Sequence, residues 1–106
     1  MKGDIITDRD TYIQKLKAKI DDWNGEIAQV EKRLEGASEH AKIEAEEKLA
    51  ELRRYRDDAQ ARLKELEQET GDAWDKVRER TDAAWESIQR GFTEALDRIR
   101  GGDARR

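Results

Sequence analysis

The sequence predicts an all-α protein, an antiparallel coiled-coil bundle of three helices. Three observations predict it. Apolar side chains recur every three or four residues along nearly the whole chain, the spacing that holds them on one face of a helix. None of the 106 residues is proline, so no position forbids helix outright. Ala, Glu, Lys, Leu and Arg supply about half of the chain, the composition of long helices and coiled coils.

The apolar seam falls into three stretches. The first reads Tyr12, Leu16, Ile20, Trp23, Ile27, Val30 and Leu34. The second reads Ala41, Ala45, Leu49, Leu52, Tyr55, Ala59, Leu63 and Leu66. The third reads Trp74, Val77, Trp85, Ile88, Phe92, Leu96 and Ile99. Ser38, Thr70 and Thr81 fill the remaining steps, and Ser38 and Thr70 each lie within two residues of a glycine. A turn gains from polar seam residues at those points, whereas a continuous helix does not.

Residues 1–7 read as a flexible lead. Thr7 is placed to cap the first helix, with Asp10 in the capping-box position, and that helix runs over about 8–35. Gly36 fits a left-handed C-terminal cap, and Ser38 starts a second helix over about 38–69. Gly71 is the second expected left-handed glycine. Asp72 is placed to cap a third helix over about 72–100, with Asp75 at its third position. Gly101 and Gly102 then release a flexible basic tail, 101–106. Gly36 and Gly71 are therefore the expected hinges of a single bundle domain, 8–100.

A second arrangement stays open. The seam keeps its helical phase across Gly36, and a glycine costs only about 1 kcal/mol inside a helix. Residues 8–69 could then form one rod, followed by the helix 72–100. Two such rods crossing antiparallel near residue 37 would make the same bundle twice, as a domain-swapped dimer.

Composition narrows the functional classes. A chain of 106 residues holds one domain. Charged residues reach 45%, with 22 basic against 26 acidic side chains and a net charge of −4. Opposite charges sit at i, i+4 in Glu44–Lys48, Asp58–Arg62, Asp72–Lys76, Glu86–Arg90 and Glu94–Arg98, a spacing that supports ordered helix over disorder. No segment carries the basic stripe that phosphate neutralisation requires, which argues against nucleic acid as a partner. The absence of cysteine removes disulfides and thiol chemistry. No apolar run resembles a signal peptide or a membrane span, so a cytoplasmic location is expected.

Four features of the sequence could carry a site. An eleven-residue repeat runs through the third helix, from Asp72-Ala73-Trp74-Asp75 with Val77 to Ala83-Ala84-Trp85-Glu86 with Ile88, and on to Glu94-Ala95-Leu96-Asp97 with Ile99. Its period of 3.67 residues per turn winds straight or slightly right-handed. Reversible binding of residues 72–100 to a membrane surface is one reading, because tryptophan favours that interface. The mixed acids and bases of the polar face favour a core stripe instead. Trp23, Trp74 and Trp85 read as bulk core, each able to bury on the order of 200 Å². His40 shares a helical row with Glu44, Glu47 and Glu51, yet one histidine cannot supply a protein-built di-iron site, and the row reads as solvated surface. Ser38 and Ser87 have no second histidine for a triad, and no glycine cluster resembles a phosphate loop. Catalytic residues, metal ligands and cofactors are therefore all expected to be absent, and the chain is not expected to be an enzyme.

The stretch Tyr12-Ile13-Gln14-Lys15-Leu16-Lys17-Ala18-Lys19-Ile20-Asp21-Asp22-Trp23-Asn24 resembles the opening of a family of small bacterial coiled-coil proteins linked to stress response. The pairs Ala73-Trp74 and Ala84-Trp85 are similar to Ala-Trp pairs of that family. The resemblance covers nearly the whole chain and implies a non-enzymatic cytosolic protein raised under stress. Gly36 departs from the family pattern and counts against a continuous rod. A thin core in a short chain also favours association. A homodimer is the expected partner state, with Leu16, Ile20, Trp23 and Ile27 as the shared surface and Trp74, Trp85, Ile88 and Phe92 packed beside them.

Overall fold

A computed structural model describes residues 8–69 and 71–104, the side chains of 101–104 excepted. It contains three helices: α1, Asp8–Leu34; α2, Glu39–Gln68; and α3, Trp74–Ala104. The chain bends after α1, so the three-helix bundle is formed within one chain and residues 8–69 are not a single rod. The bundle measures 56 × 25 × 20 Å.

Four cross-helix contacts describe the topology. The Arg9 guanidinium, in the first turn of α1, donates to the carbonyls of Leu66, Glu67 and Glu69 at 3.5, 3.0 and 3.3 Å. It neutralises the negative end of α2 and sets α1 antiparallel to it. Tyr12 meets Trp74 edge-on at 6.2 Å, and Arg100 pairs with Glu26. The start of α1 thus lies by the start of α3, and the two run parallel. It follows that α2 and α3 run antiparallel, with Tyr55 lying against Gly91 between them. Up-down-up order is what short turns between helices of similar length dictate.

Burial follows the seam. Ile13, Leu16, Ile20, Trp23, Ile27 and Val30 are the buried residues of α1, in strict alternation of three and four. Leu49, Leu52, Ala59, Leu63 and Leu66 are those of α2. In α3 the buried stripe includes Val77, Thr81, Trp85, Ile88, Phe92 and Leu96. Three of its pairs, Trp85 with Leu96, Val77 with Ile88 and Thr81 with Phe92, are separated by the eleven-residue step.

The turns differ from the expectation in their backbone. No glycine among the described residues has positive φ, so neither Gly36 nor Gly71 is a left-handed cap. The first turn is instead closed by tight bonds from the amides of Glu35, Gly36 and Ala37 to the carbonyls of Lys32, Arg33 and Leu34 at 3.2, 3.3 and 3.1 Å. These i→i−3 bonds satisfy the end of α1 by tightening the helix. Ser38 does cap α2: its hydroxyl accepts from the Ala41 amide at 3.2 Å.

Asp72 does not cap α3. The helix begins at Trp74, and the Val77 amide donates to the Ala73 carbonyl at 3.0 Å, leaving Asp72 inside the turn. Nor do Gly101 and Gly102 end α3, which continues to Ala104; extending an anchored helix adds one bond per residue. Thr7, the lead 1–7, Thr70 and residues 105–106 lie outside the described residues.

Candidate functional site

The aromatic residues meet between α1 and α3. Trp23 projects from α1 and lies face to face with two rings of α3. Trp85 is 5.5 Å away at 18°, and Phe92 is 4.5 Å away at 11°. Three consecutive ring layers hold the two backbones apart: no Cα atoms of α1 and α3 approach within 8 Å among the described residues. A second group sits near the helix starts. Tyr12 donates to Asp82, Arg78 lies 4.7 Å from the Tyr12 ring centre, and Arg9 lies 5.3 Å from that of Trp74. Burial, then the Asp82 hydrogen bond and charge, hold the Tyr12 phenol well above its ordinary pKa, with Arg78 pulling the other way.

Every expected interface residue is spent inside this single chain. Leu16, Ile20, Trp23 and Ile27 are buried, as are Trp85, Ile88 and Phe92, and Trp74 packs on the same cluster half-buried. A surface shared with a second chain therefore uses other residues, or these same residues exchanged between chains. Membrane-surface binding by residues 72–100 would have to draw Trp85, Ile88 and Phe92 out of the core. No described helix is long and apolar enough to cross a membrane.

Two buried polar atoms, Thr81 Oγ1 and Trp85 Nε1, have no hydrogen-bond partner among the described residues. Both face the packed interior, and neither atom touches solvent. A groove of about 630 Å³ runs between α1 and α3 beside them, bordered by Lys15, Lys19, Arg78 and Glu86. It is the gap that the wide aromatic spacing leaves at the surface.

The His40 row is solvated. His40 is 86% exposed and stands 3.7 Å from Glu44, and no cluster of three metal-ligating side chains occurs among the described residues. Of the expected i, i+4 pairs, Glu86–Arg90 forms at 3.9 Å. Lys48 turns to Glu51 and Arg62 to Glu65, at 3.9 and 3.5 Å. Pairs between helices are the ones the pattern missed: Lys17–Glu67 at 3.1 Å, Arg53–Glu31 and Arg100–Glu26. Only a helix's neighbours, not its own spacing, reveal them.

The thin part of the molecule is the first half of α2. Here the seam is carried by Ala41, which is exposed, and Ala45, which is half-buried. A groove of about 960 Å³ opens at this end, lined by Leu34, Ala37, Ala41, Ala45 and Ile99 among others. Ile43, on the outer side of the same half of α2, is 56% exposed and is the exposed large hydrophobic residue of the described chain. Ile43 is off the seam, and its exposure is what a position between Ala41 and Ala45 predicts once that seam faces inward. No family model, no curated protein and no solved structure matches this chain.

Proposed function

We propose that this chain is a non-enzymatic interaction protein: a helical bundle that associates with a second copy of itself through the surface of α2. The observation that carries the reading is the exposed face of α2, where Glu46 and Glu47 precede and Arg53 and Arg54 follow the small Ala50, with Ile43 56% exposed among them. Acids followed by bases along one helix face complement themselves when a second copy runs antiparallel. The aromatic residues are committed to holding α1 and α3 together, which leaves the outer face of α2 for a second copy. The resemblance to bacterial stress-response coiled coils extends the proposal to a cytoplasmic protein whose abundance rises under stress.

Light scattering behind a sizing column tests the association, with the concentration raised to the order of tens of micromolar, where a weak contact of about −6 kcal/mol populates a dimer. The expected result is a mass that climbs from one chain toward two as concentration rises. A single-chain mass across the whole series defeats the proposal. Immunoblotting of cells after heat or osmotic shock tests the stress role, and unchanged abundance defeats it.

A further inference from the structure

The outer face of α2 carries a charge pattern that complements itself when reversed. On a wheel of 3.6 residues per turn, Ala50 lies opposite the buried stripe of Leu52, Ala59, Leu63 and Leu66. Exposed residues within about 60° of Ala50 on that wheel divide by sign along the helix. Before Ala50 come Glu39, Glu46 and Glu47, with Ile43 among them. After it come Arg53, Arg54 and Lys64, with Ala61 among them. Asp57 and Glu65 break the pattern, but each carboxylate is already held within its own helix, by Arg56 at 2.8 Å and by Arg62 at 3.5 Å.

We infer that two copies pair through this face, α2 against α2, antiparallel, with Ala50 at the two-fold axis. The inference rests on the self-association proposed above and names its surface. A two-fold axis through Ala50 sets residue 50+k opposite residue 50−k and keeps each on its own flank of the contact. Glu46 then faces the partner's Arg53, and Glu47 faces the partner's Arg54. By symmetry the contact holds four such pairs. Glu39 lies on the flank of the partner's Lys64. Ala50 is small enough to let the helices cross closely. Ile43 lies level with the partner's Asp57 on the other flank, and on its own flank it is covered between the partner's Arg54 stem and the partner's Ala61. A parallel arrangement would set Glu46 and Glu47 against the same acids, so the charge order selects the antiparallel one.

The segregation of charge supplies its own test. The variants E46R/E47R and R53E/R54E each place one sign on both halves of the face. Each is expected to dimerise more than tenfold more weakly than the parent chain, with far-UV helicity retained. Mixed in equal amounts, the two are expected to recover the dimer mass, because the four charges flanking Ala50 are now all positive on one chain and all negative on the other. Ala50→Arg, which disturbs no charge pair within the chain, is expected to abolish the dimer alone. It guards against a folding defect, since Arg53 also pairs with Glu31. A parent dimer that survives in E46R/E47R and in Ala50→Arg overturns this surface while leaving self-association standing, through α1 exchange for example. Variants that stay monomeric when mixed overturn the antiparallel register. A parent chain that is monomeric throughout removes the self-association reading, and this surface with it.

Discussion

The two seams that meet on α3 are built on opposite plans. Toward α1, large flat rings stack in layers, and no Cα pair comes within 8 Å. Toward α2, the backbones close in, and the enabling residue is one with no side chain. A Cβ built on Gly91 would sit 2.4 Å from Tyr55 Cζ, so the Tyr55 ring lies directly on the α3 backbone. One seam is held by aromatic area and the other by proximity. The two should therefore fail under opposite substitutions, the first when a side chain is removed and the second when one is added.

The largest effect is expected at Trp23. Replacing it with Ala empties the space between Trp85 and Phe92, and the parallel pair cannot close because its spacing was set by the ring. Loss of a buried tryptophan costs about 3–5 kcal/mol, comparable with the total stability of a small domain, about 5 kcal/mol at the low end. Thermal unfolding followed by far-UV circular dichroism should show a broad, low transition or none. A fall of only a few degrees would mean that the rings do not hold this seam.

Gly91→Ala probes the close seam. Inside an ordinary helix the change gains about 1 kcal/mol, but here the methyl drives Tyr55 from its seat, and overpacking costs about 1–3 kcal/mol. The net expectation is a loss of about 1 kcal/mol. The sharper measurement repeats the substitution in a Tyr55→Ala background, where the steric cost is gone and Gly91→Ala should stabilise. If the sign does not reverse between the two backgrounds, close approach is not the reason for glycine at this position.

A smaller effect is expected where the aromatic seam begins. The Tyr12 phenol is held well above its ordinary value of about 10 by burial first and by Asp82 second. The folded state thus keeps a proton that the unfolded chain loses near pH 10. This contribution is complete below that pH and declines as pH rises through about 10 toward the higher folded value. Tyr12→Phe should lower the melting temperature at pH 8 by losing the Asp82 bond, yet lose less than the parent chain between pH 9 and 11. Parallel melting curves for the two proteins would show that Tyr12 carries no such linkage.

Much of this architecture was legible because repeat and burial are the same signal. The alternation of three and four in α1 and the eleven-residue step in α3 each name their buried face directly. The errors fall where periodicity is silent. Tyr12 and Ile13 both stand at permitted spacing from Leu16, and only packing decides that Ile13 is the buried one. Ala95, 1% exposed beside Leu96, is missed because a methyl carries little hydropathy. Gly91 had a readable mark, a glycine between Ile88 and Phe92 in a strong helix. Its meaning needed Tyr55, which is 36 positions away in the chain. Arg9 capping the end of α2 is likewise a property of the assembled bundle. The residues expected at a surface for a second chain are buried within this one for a related reason: a seam long enough to associate is equally able to fold on itself.

Gly36 marks the boundary between those two outcomes, and its expected effect is the smallest. A left-handed cap would make alanine costly there by about 1 kcal/mol. The φ is not positive, and a Cβ at this position meets nothing within 4 Å. Both terms that would oppose Gly36→Ala are therefore absent, and the remaining one is the entropy removed from the unfolded chain, about 0.4–1 kcal/mol in favour of the fold. The melting temperature should rise by a few degrees, with the mass distribution unchanged. The turn is closed by the i→i−3 bonds of Glu35, Gly36 and Ala37 and by the Ser38 cap, none of which an alanine methyl disturbs. A shift of Gly36→Ala toward dimers would instead show that the straight helix competes closely with the bend, and that the turn depends on glycine after all.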